Sequence, residues 1–255
     1  MVQALSSIKL DKSIPVPLYY QLKKQILSLF ENASLQEGDI LPPENELCET
    51  LNVSRPTIRQ AFNELAMEGY LARYKGRGTF VCKPKVEEKF FNRLQSFNAE
   101  MISKGLIPKT EVLGLERLNG PHEANERLNL PLSAALIRLS RLRWANDTPL
   151  VYVETFLPFD RYRALMDVDF RTTSLYQSLD NLCHVRVNKV RREIEAVNAR
   201  KKEAKLLQIA QNKALILVKT VAYSEDDSLP VEFSIARYRG DRNKFSVDIL
   251  GYYLS

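Results

Sequence analysis

The sequence predicts an α+β protein built from two parts joined by a linker. Residues 14–82 show helical periodicity and then a short glycine-rich hairpin. Residues 92–251 contain strand-like segments separated by tight turns and short helical segments. Between them, residues 83–91 are charged and contain one proline, which predicts the linker. With 255 residues, of which 45% are hydrophobic, the chain is long enough for a core in each part.

Two helices open the first part. Apolar residues recur every three or four positions from Leu18 to Leu29, which predicts a helix with one buried face. Two prolines ending at Pro43 mark the start of a second helix, in which Leu47 and Leu51 share a face. The next two residues break this pattern and predict a turn. Residues 1–13, ahead of the first helix, are polar and are expected to be mobile.

A third helix follows the turn, with Ser54 as its expected N-cap and Gly69 at its expected left-handed end. Its core face is predicted to hold Ile58, Ala61, Phe62 and Leu65, which are spaced i, i+3, i+4, i+7. The opposite side carries side chains that can bond phosphates and base edges, namely Arg55, Thr57, Arg59, Gln60 and Asn63.

A basic hairpin is predicted after Gly69. Two short apolar runs flank the sequence KGRG at 75–78, and residues 73–85 contain five cations and no acid. A thin, positively charged tip suits contact with a phosphate backbone or a minor groove. Helix, turn, basic helix and hairpin together predict a winged helix-turn-helix that binds DNA. The alternative is a structural helical hairpin whose charges are merely solvated.

The second part is predicted to be an antiparallel sheet with helices to one side, because tight turns such as 145–147 join its strands. The basic stretch 185–192 is interpreted as a solvated strand rather than a second nucleic-acid site. The predicted strands are 110–118, 135–144, 149–157, 215–223 and 230–239, and the predicted helices are 94–104, 121–128, 161–166, 174–182 and 201–209.

Two arginines mark a candidate anion site in this second part. Ile137, Leu139, Arg141 and Arg143 share one strand face, and the first two point that face at the core. Guanidinium groups that follow apolar residues on a core-facing strand face need a bound anion or neighbouring carboxylates to balance their charge. The alternative partner is a structural network with Glu154 or Glu232.

A late strand has the pattern of a cavity wall. One strand face is polar and has small residues, namely Glu232, Ser234, Ala236 and Tyr238. The opposite face is ordinary core, namely Val231, Phe233 and Ile235. Thr173 or Ser174 can cap the helix that follows, whose first N–H groups suit an anion. A plain helix cap and a ligand contact both fit Ser174. Tyr176 and Tyr238, taken singly, fit core tyrosines equally well.

The run SRPTIRQAFNELAMEGYL, followed by KGRGTFV, resembles the DNA-binding domain of the GntR family of bacterial transcription regulators. The resemblance implies that the third helix touches DNA and that the hairpin enters the minor groove. Relatives often place an arginine where this chain has Asn45, so a changed contact is expected there. The DNA-binding candidates are Asn45, Ser54, Arg55, Pro56, Thr57, Arg59, Gln60, Lys75, Gly76, Arg77, Gly78 and Thr79.

The second part resembles the UTRA effector-binding domain of the HutC subfamily, which is similar in fold to chorismate lyase. The landmarks are LIRLSRLRWANDTPLVYVETFLPFD and VEFSIARYRGDRNKF. In sugar-phosphate-sensing members, the resemblance implies a phosphate held by two arginines, a serine and a tyrosine. It further implies sugar contacts from a glutamate and a tyrosine and closure by an early segment. The matching positions are Arg141, Arg143, Ser174, Tyr176, Glu232, Tyr238, Phe97 and Asn98.

One position departs from that pattern. Several relatives carry a glutamate where this chain has Val153, and Glu154 is one step further along and is expected to face the other way. Either the register of this strand or the polar edge of the ligand therefore differs from that of those relatives.

These features predict a metabolite-responsive transcriptional repressor that binds a palindromic operator as a homodimer. The expected effector is a small phosphorylated metabolite, such as glucosamine-6-phosphate or N-acetylglucosamine-6-phosphate. One alternative is an enzyme of chorismate-lyase-like fold tethered to a DNA-binding domain. Another is an architectural DNA binder that responds to no ligand, although the size of the second part disfavours it.

Other chemistry finds little support in the sequence. No nucleophile, zinc-protease or phosphate-loop motif is present, so no catalytic residue is expected. Cys48, Cys82 and Cys183 are far apart, and His122 and His184 are isolated, so neither a metal nor a cofactor is expected. The net charge of +6 favours a polyanionic partner. With neither a signal peptide nor a long apolar stretch, a cytoplasmic protein without a membrane partner is expected.

Overall fold

The computed structural model of the chain describes residues 5, 7–88, 96–224 and 229–247. It divides into two compact units, residues 1–85 and 86–255. Within the predicted linker, Val86–Glu88 form a strand of the second unit, β4, which pairs in parallel with Asn243–Phe245 of the same unit. The rest of the predicted linker beyond β4, 89–91, lies outside the described residues.

The first unit contains the three helices and the hairpin that the sequence predicts. The helices are α1 (Leu18–Glu31), α2 (Glu44–Leu51) and α3 (Arg55–Met67). The hairpin strands β2 (Leu71–Tyr74) and β3 (Gly78–Val81) are antiparallel, and β1 (Ile40–Leu41) pairs with β3 on its other side.

Local sequence signals fix the orientation of α3. Asn52 ends α2 in the left-handed region at φ 50°, and Ser54 precedes the first turn of α3. The four predicted core residues of α3 are each no more than 1% exposed. Lys23 of α1 then forms ion pairs with Glu64 of α3 and with Glu68, the residue just after α3, at 3.0 and 2.6 Å. The polar side of α3 is consequently left facing outward.

The polar start of the chain is ordered where it is described, so the expectation of mobility there is wrong. Leu5 and Ile8 are buried in the core of the first unit. Gln21 and Gln25 of α1 exchange hydrogen bonds with the backbone of residues 9–11. Two apolar anchors and two side-chain amides hold a segment whose composition looked like that of a free terminus.

The second unit is built on a six-stranded antiparallel sheet of order β5-β6-β7-β10-β9-β8. The edge strand β8 has 12 residues and extends well beyond the predicted stretch 185–192. The strands are β5 (Pro108–Asn119), β6 (Ala135–Ala145), β7 (Thr148–Pro158), β8 (Val187–Asn198), β9 (Ala214–Ser224) and β10 (Pro230–Arg239), with β11 being Asn243–Phe245.

Helices pack on both faces of this sheet, which corrects the prediction of helices on one side. Ala124 and Leu128 pack against Leu136 and Phe233 on one face, whereas Leu175 packs against the opposite face. The central strand β7 is buried along almost its whole length, and a strand buried on both faces must be covered on both. The helices are α4 (Phe97–Ser103), α5 (His122–Arg127), α6 (Phe159–Tyr162), α7 (Leu175–Cys183) and α8 (Lys201–Leu206).

A bulge at the start of β10 corrects one further expectation. The pairing of β10 with β9 shifts between Pro230 and Glu232. Val231 therefore packs with Ile137 and Leu139 instead of joining Phe233 on the other face. Within the described residues, no helix is long and apolar enough to cross a membrane.

Candidate functional site

The outward side of α3 presents the predicted recognition residues. Thr57 is half-buried, and its Oγ1 lies 2.8 Å from the Ser54 Oγ. The fully exposed members of the set are Ser54, Arg55, Pro56, Arg59 and Gln60. An exposed row of hydroxyl, amide and guanidinium groups on one helix side can bond both phosphates and base edges.

The hairpin turn supplies the second part of this surface. Lys75, Gly76, Arg77 and Gly78 are exposed at its tip, and Thr79 is half-buried. Gly76 and Gly78 have φ of 76° and 105°, a left-handed backbone that favours glycine. The narrow tip therefore depends on these two glycines, which leave room for a close approach to a duplex.

One acid organises the cations of this surface. Glu44 lies 3.5 Å from Arg55 and 3.4 Å from Arg73, which also donates to Asn63 at 2.7 Å. Asn45, beside Glu44, is exposed. No ion pair to Arg59 occurs in the described part of the chain. Arg59 is therefore the cation on α3 that can contact DNA without first breaking an ion pair with a described residue.

A cavity of about 310 Å³ lies in the second unit. Its floor is one face of β6, β7, β10 and β9, and its rim comes from α4 and the start of α7. All eight residues predicted to bind an effector line it, namely Phe97, Asn98, Arg141, Arg143, Ser174, Tyr176, Glu232 and Tyr238. The fold thus brings together positions that are up to 141 apart in sequence, from 97 to 238.

Two guanidinium groups form the positive end of the cavity. Arg141 is 4% exposed, and its Nη2 lies 3.3 Å from the Thr155 Oγ1, whereas its Nε has no hydrogen-bond partner among the described residues. Arg143 lies over the Phe97 ring at 5.1 Å. Burial lowers the pKa of both arginines, and the charge of Arg143 lowers that of Arg141 further. The arrangement therefore favours an anion.

Glu154 is not the partner of these arginines, so that alternative is wrong. It lies on the opposite face of β7, where its carboxylate meets Arg237 at 3.0 Å and Lys202 at 3.7 Å. Val153 lines the cavity in its place, as the expected strand alternation requires. The alternation along β7 is thus the expected one, with Val153 at the cavity wall and Glu154 on the opposite face.

Glu232 lies at the cavity floor without forming a salt bridge to either arginine. It is 5% exposed, and it lies near Arg141, Ser234 and Tyr176, which oppose the effect of burial on its pKa. Its Oε2 has no hydrogen-bond partner among the described residues. Burial raises the pKa of Glu232, and burial together with this carboxylate raises the pKa of Tyr176. The free oxygen can accept a ligand hydroxyl or ammonium.

The start of α7 faces the same cavity. Ser174 has the extended conformation of an N-cap residue, but its hydroxyl makes no capping hydrogen bond. The first helical bond runs from the Ser178 N–H to the Ser174 carbonyl, so the preceding N–H groups have no helical partner. A hydroxyl and several N–H groups at a helix start suit a phosphate.

Arg192 is the cavity residue that sequence reasoning missed. It was placed in a solvated stretch, but β8 pairs with β9 so that Arg192 lies beside Thr220 on the cavity face. The signal was the alternation of Val190, Arg192 and Ile194, which continues past the stretch first considered. Other unpredicted lining residues are Ser96, Thr110, Thr155, Thr172 and Thr220.

Two sequence families match the two units. The family described as bacterial regulatory proteins, gntR family, matches residues 18–81, and the UTRA domain matches residues 103–244. The chain belongs to the GntR family, in its HutC type with a UTRA domain. The first unit is therefore the DNA-binding domain of a GntR regulator, and the cavity lies in a UTRA domain, a kind of domain that binds a small-molecule effector.

Similar proteins agree with this assignment over nearly the whole chain. The chain is 32% identical to the HTH-type transcriptional repressor NagR of Bacillus subtilis, covering 93% of this chain and 97% of NagR. It is 29% identical to a probable fructoselysine utilization operon transcriptional repressor of Escherichia coli K12, covering 91% and 94%. PhnF from Mycobacterium smegmatis has the same fold, with a TM-score of 0.74, 24% identity and coverage of 90% and 99%. This chain is a transcription regulator of the GntR type with a UTRA domain.

Proposed function

We propose that this protein represses transcription from a palindromic operator as a homodimer, and that a small phosphorylated metabolite modulates its binding. The observation that carries the effector part is one end of the cavity, where two buried guanidinium groups and a helix start meet and no salt bridge to a described carboxylate forms. A dianionic phosphate would supply the missing negative charge.

A sugar phosphate is the proposed class of effector. Beyond the arginine pair, the cavity is lined by hydroxyl side chains and by the Glu232 carboxylate, which suit a ligand rich in hydroxyl groups. Glucosamine-6-phosphate and N-acetylglucosamine-6-phosphate are the compounds that the resemblance to sugar-phosphate-sensing UTRA domains indicates. The proposed phosphate contacts are Arg141, Arg143, Ser174 and Tyr176, with sugar contacts from Glu232 and Tyr238 and closure by Phe97 and Asn98.

On the DNA side, α3 would enter the major groove and the hairpin the minor groove of each half-site. The proposed contacts are the exposed residues of α3 and the hairpin tip, with Asn45 on α2. Symmetric operators follow from a two-fold homodimer. The effector would act by binding one arrangement of the DNA-binding units more tightly than another, with the segment around 83–91 as the linker. Since the operator lies on bacterial DNA, the protein would act in the cytoplasm.

Calorimetry and thermal unfolding of the full chain test the effector class. The panel is inorganic phosphate, the two amino-sugar phosphates and unphosphorylated glucosamine as the matched control. We expect the phosphorylated compounds to bind and to raise Tm, and glucosamine to do neither. The proposal fails if neither the sugar phosphates nor inorganic phosphate gives a response.

Selection of bound duplexes from a random pool tests the operator. We expect a two-fold symmetric consensus, and a dimer in sedimentation velocity. An asymmetric single site bound by a monomer would contradict the proposal. The enzyme alternative would need turnover of chorismate-like substrates, and the architectural alternative would need DNA affinity that no metabolite changes.

A further inference from the structure

A row of hydroxyl side chains crosses the cavity floor from strand to strand. Thr155 on β7 pairs with Ser234 on β10, which pairs with Thr220 on β9. Arg192 on the edge strand β8 pairs in turn with Thr220. All four residues line the cavity, and the three hydroxyl residues are each less than 9% exposed. Direct cross-strand partners lie on one face, so these groups form a continuous polar stripe.

Guanidinium groups stand at both ends of this stripe. At one end the Arg141 Nη2 lies 3.3 Å from the Thr155 Oγ1. Arg192 lies at the other end, on β8, the fourth strand along from β6, and both Arg141 and Arg192 lie close enough to Glu232 to act on its pKa. The next row of the same face is apolar and borders the stripe with Val153, Ala236 and Val218.

We propose that the cavity also takes an extended, polyhydroxylated acid phosphate, with its phosphate at Arg141 and Arg143, its hydroxyl groups on the stripe, and a carboxylate at Arg192. The phosphate end rests on the proposed function above. The carboxylate end is new and concerns the far side of the cavity. A planar guanidinium matches a carboxylate with two parallel hydrogen bonds, and this match selects the acid over an alcohol at that position.

The charges around Arg192 favour this assignment over a ligand with an ammonium group at the same end. Burial lowers the pKa of Arg192, while Glu232 and Glu100 lie close enough to raise it. Glu100 also forms an ion pair with Lys104 at 2.8 Å, so part of its charge is already balanced. A ligand ammonium placed at Arg192 would meet a like charge in a partly buried site, whereas a carboxylate would be attracted.

The test compares two open-chain ligands on the full-length protein. 6-Phosphogluconate and glucitol 6-phosphate have the same chain length and phosphate and differ at C1, which is a carboxylate in the first and an alcohol in the second. We expect calorimetry to show at least about tenfold tighter binding of 6-phosphogluconate, the scale of one charge-assisted bond. R192Q should remove this preference, because glutamine carries no charge to attract the carboxylate.

Two further variants separate recognition from structure. R192K keeps the charge but not the planar fork, so it should restore part of the preference. R191Q is the matched control, because Arg191 is the next residue on β8, is 70% exposed and lies near Glu193 at 3.7 Å on the other face. R191Q should keep the full preference of the wild type.

Each contrary result has a distinct meaning. Equal affinities for the two ligands, or an R192Q variant that weakens both alike, would overturn the role of Arg192 and leave the phosphate site standing. If amino-sugar phosphates bind and neither open-chain compound does, the role of Arg192 is overturned and the phosphate site is left standing. If no phosphorylated compound and no inorganic phosphate binds the wild type, the proposed function itself fails.

Discussion

Replacing Arg141 by methionine should change the stability of the empty protein and its affinity for the effector in opposite directions. Arg141 is 4% exposed, and Thr155 is the hydrogen-bond partner of its guanidinium in the described chain. Because burial lowers the pKa of Arg141, the folded state disfavours its charge and the unfolded chain does not. R141M removes that charge and keeps most of the side-chain volume.

The expected gain in stability follows from two terms. Replacing buried ionic groups by apolar ones stabilises proteins by about 1–4 kcal/mol. Leaving the Thr155 hydroxyl without its guanidinium partner costs about 1 kcal/mol. The net gain of about 0–3 kcal/mol corresponds to an increase in Tm of up to about 12 °C for a unit of this size.

The expected loss of affinity follows from the proposed phosphate contacts. Two charge-assisted hydrogen bonds from a guanidinium contribute about 1.5–3 kcal/mol each. At about 1.4 kcal/mol per factor of ten, R141M should weaken binding of a sugar phosphate by about 10²- to 10⁴-fold. General damage to the fold would lower affinity and Tm together, so opposite signs are diagnostic.

Differential scanning fluorimetry and calorimetry on the full chain measure both quantities. R138M is the matched control, since Arg138 lies on the other face of the same strand and pairs with Glu116 at 2.5 Å. It should leave the effector affinity unchanged. A Tm for R141M clearly below that of the wild type, or an affinity within about fivefold of it, would refute the assignment of Arg141 as an anion receptor.

Three further predictions concern a titrating group, a DNA contact and the first core. Burial raises the pKa of Glu232 above its ordinary 4.5, so the free energy of unfolding of the wild type should fall as the pH rises from 4.5 through the pKa of the folded state. E232Q should lack that fall. Urea-unfolding free energies that run parallel against pH for the two proteins would contradict this. R59A should weaken operator binding and reduce the slope of the log association constant against log salt by about 1. K24A is the control, and an R59A slope equal to the K24A slope would argue against a phosphate contact. Phe62→Ala, at a side chain 1% exposed, should lower the free energy of unfolding of the first unit by about 3–5 kcal/mol, and a urea midpoint equal to that of the wild type would be inconsistent with its place in the core.

Regular elements were predictable where one physical signal dominated. Apolar spacing and the hairpin glycines predicted α3 and the hairpin, because periodicity and turn residues act locally. Ser54 stands at the expected N-cap position, but its side chain makes no capping hydrogen bond. The predictions failed where a distant contact decided the outcome. Leu5 and Ile8 are ordered by a core that the local sequence does not reveal, and Val231 changes face because of a bulge in a long-range pairing.

The cavity shows the same division. Alternation alone placed Arg141 and Arg143 on one face and Glu154 on the other, and the structure agrees. Alternation could not show that Arg192 joins them, since that depends on which strand lies next to β8 and in which register.

By itself, the sequence determined the class of protein: a GntR-type DNA-binding element ahead of a sheet-based effector domain with an arginine pair. These are properties of neighbouring residues and of their spacing along one element. Only the tertiary structure decided what surrounds the anion end, because the strand order β5-β6-β7-β10-β9-β8 brings hydroxyl residues from three strands into one stripe and Arg192 from a fourth strand beside it. Strand order and register are set by the packing of the whole sheet, and they place a third guanidinium at the far end of the cavity.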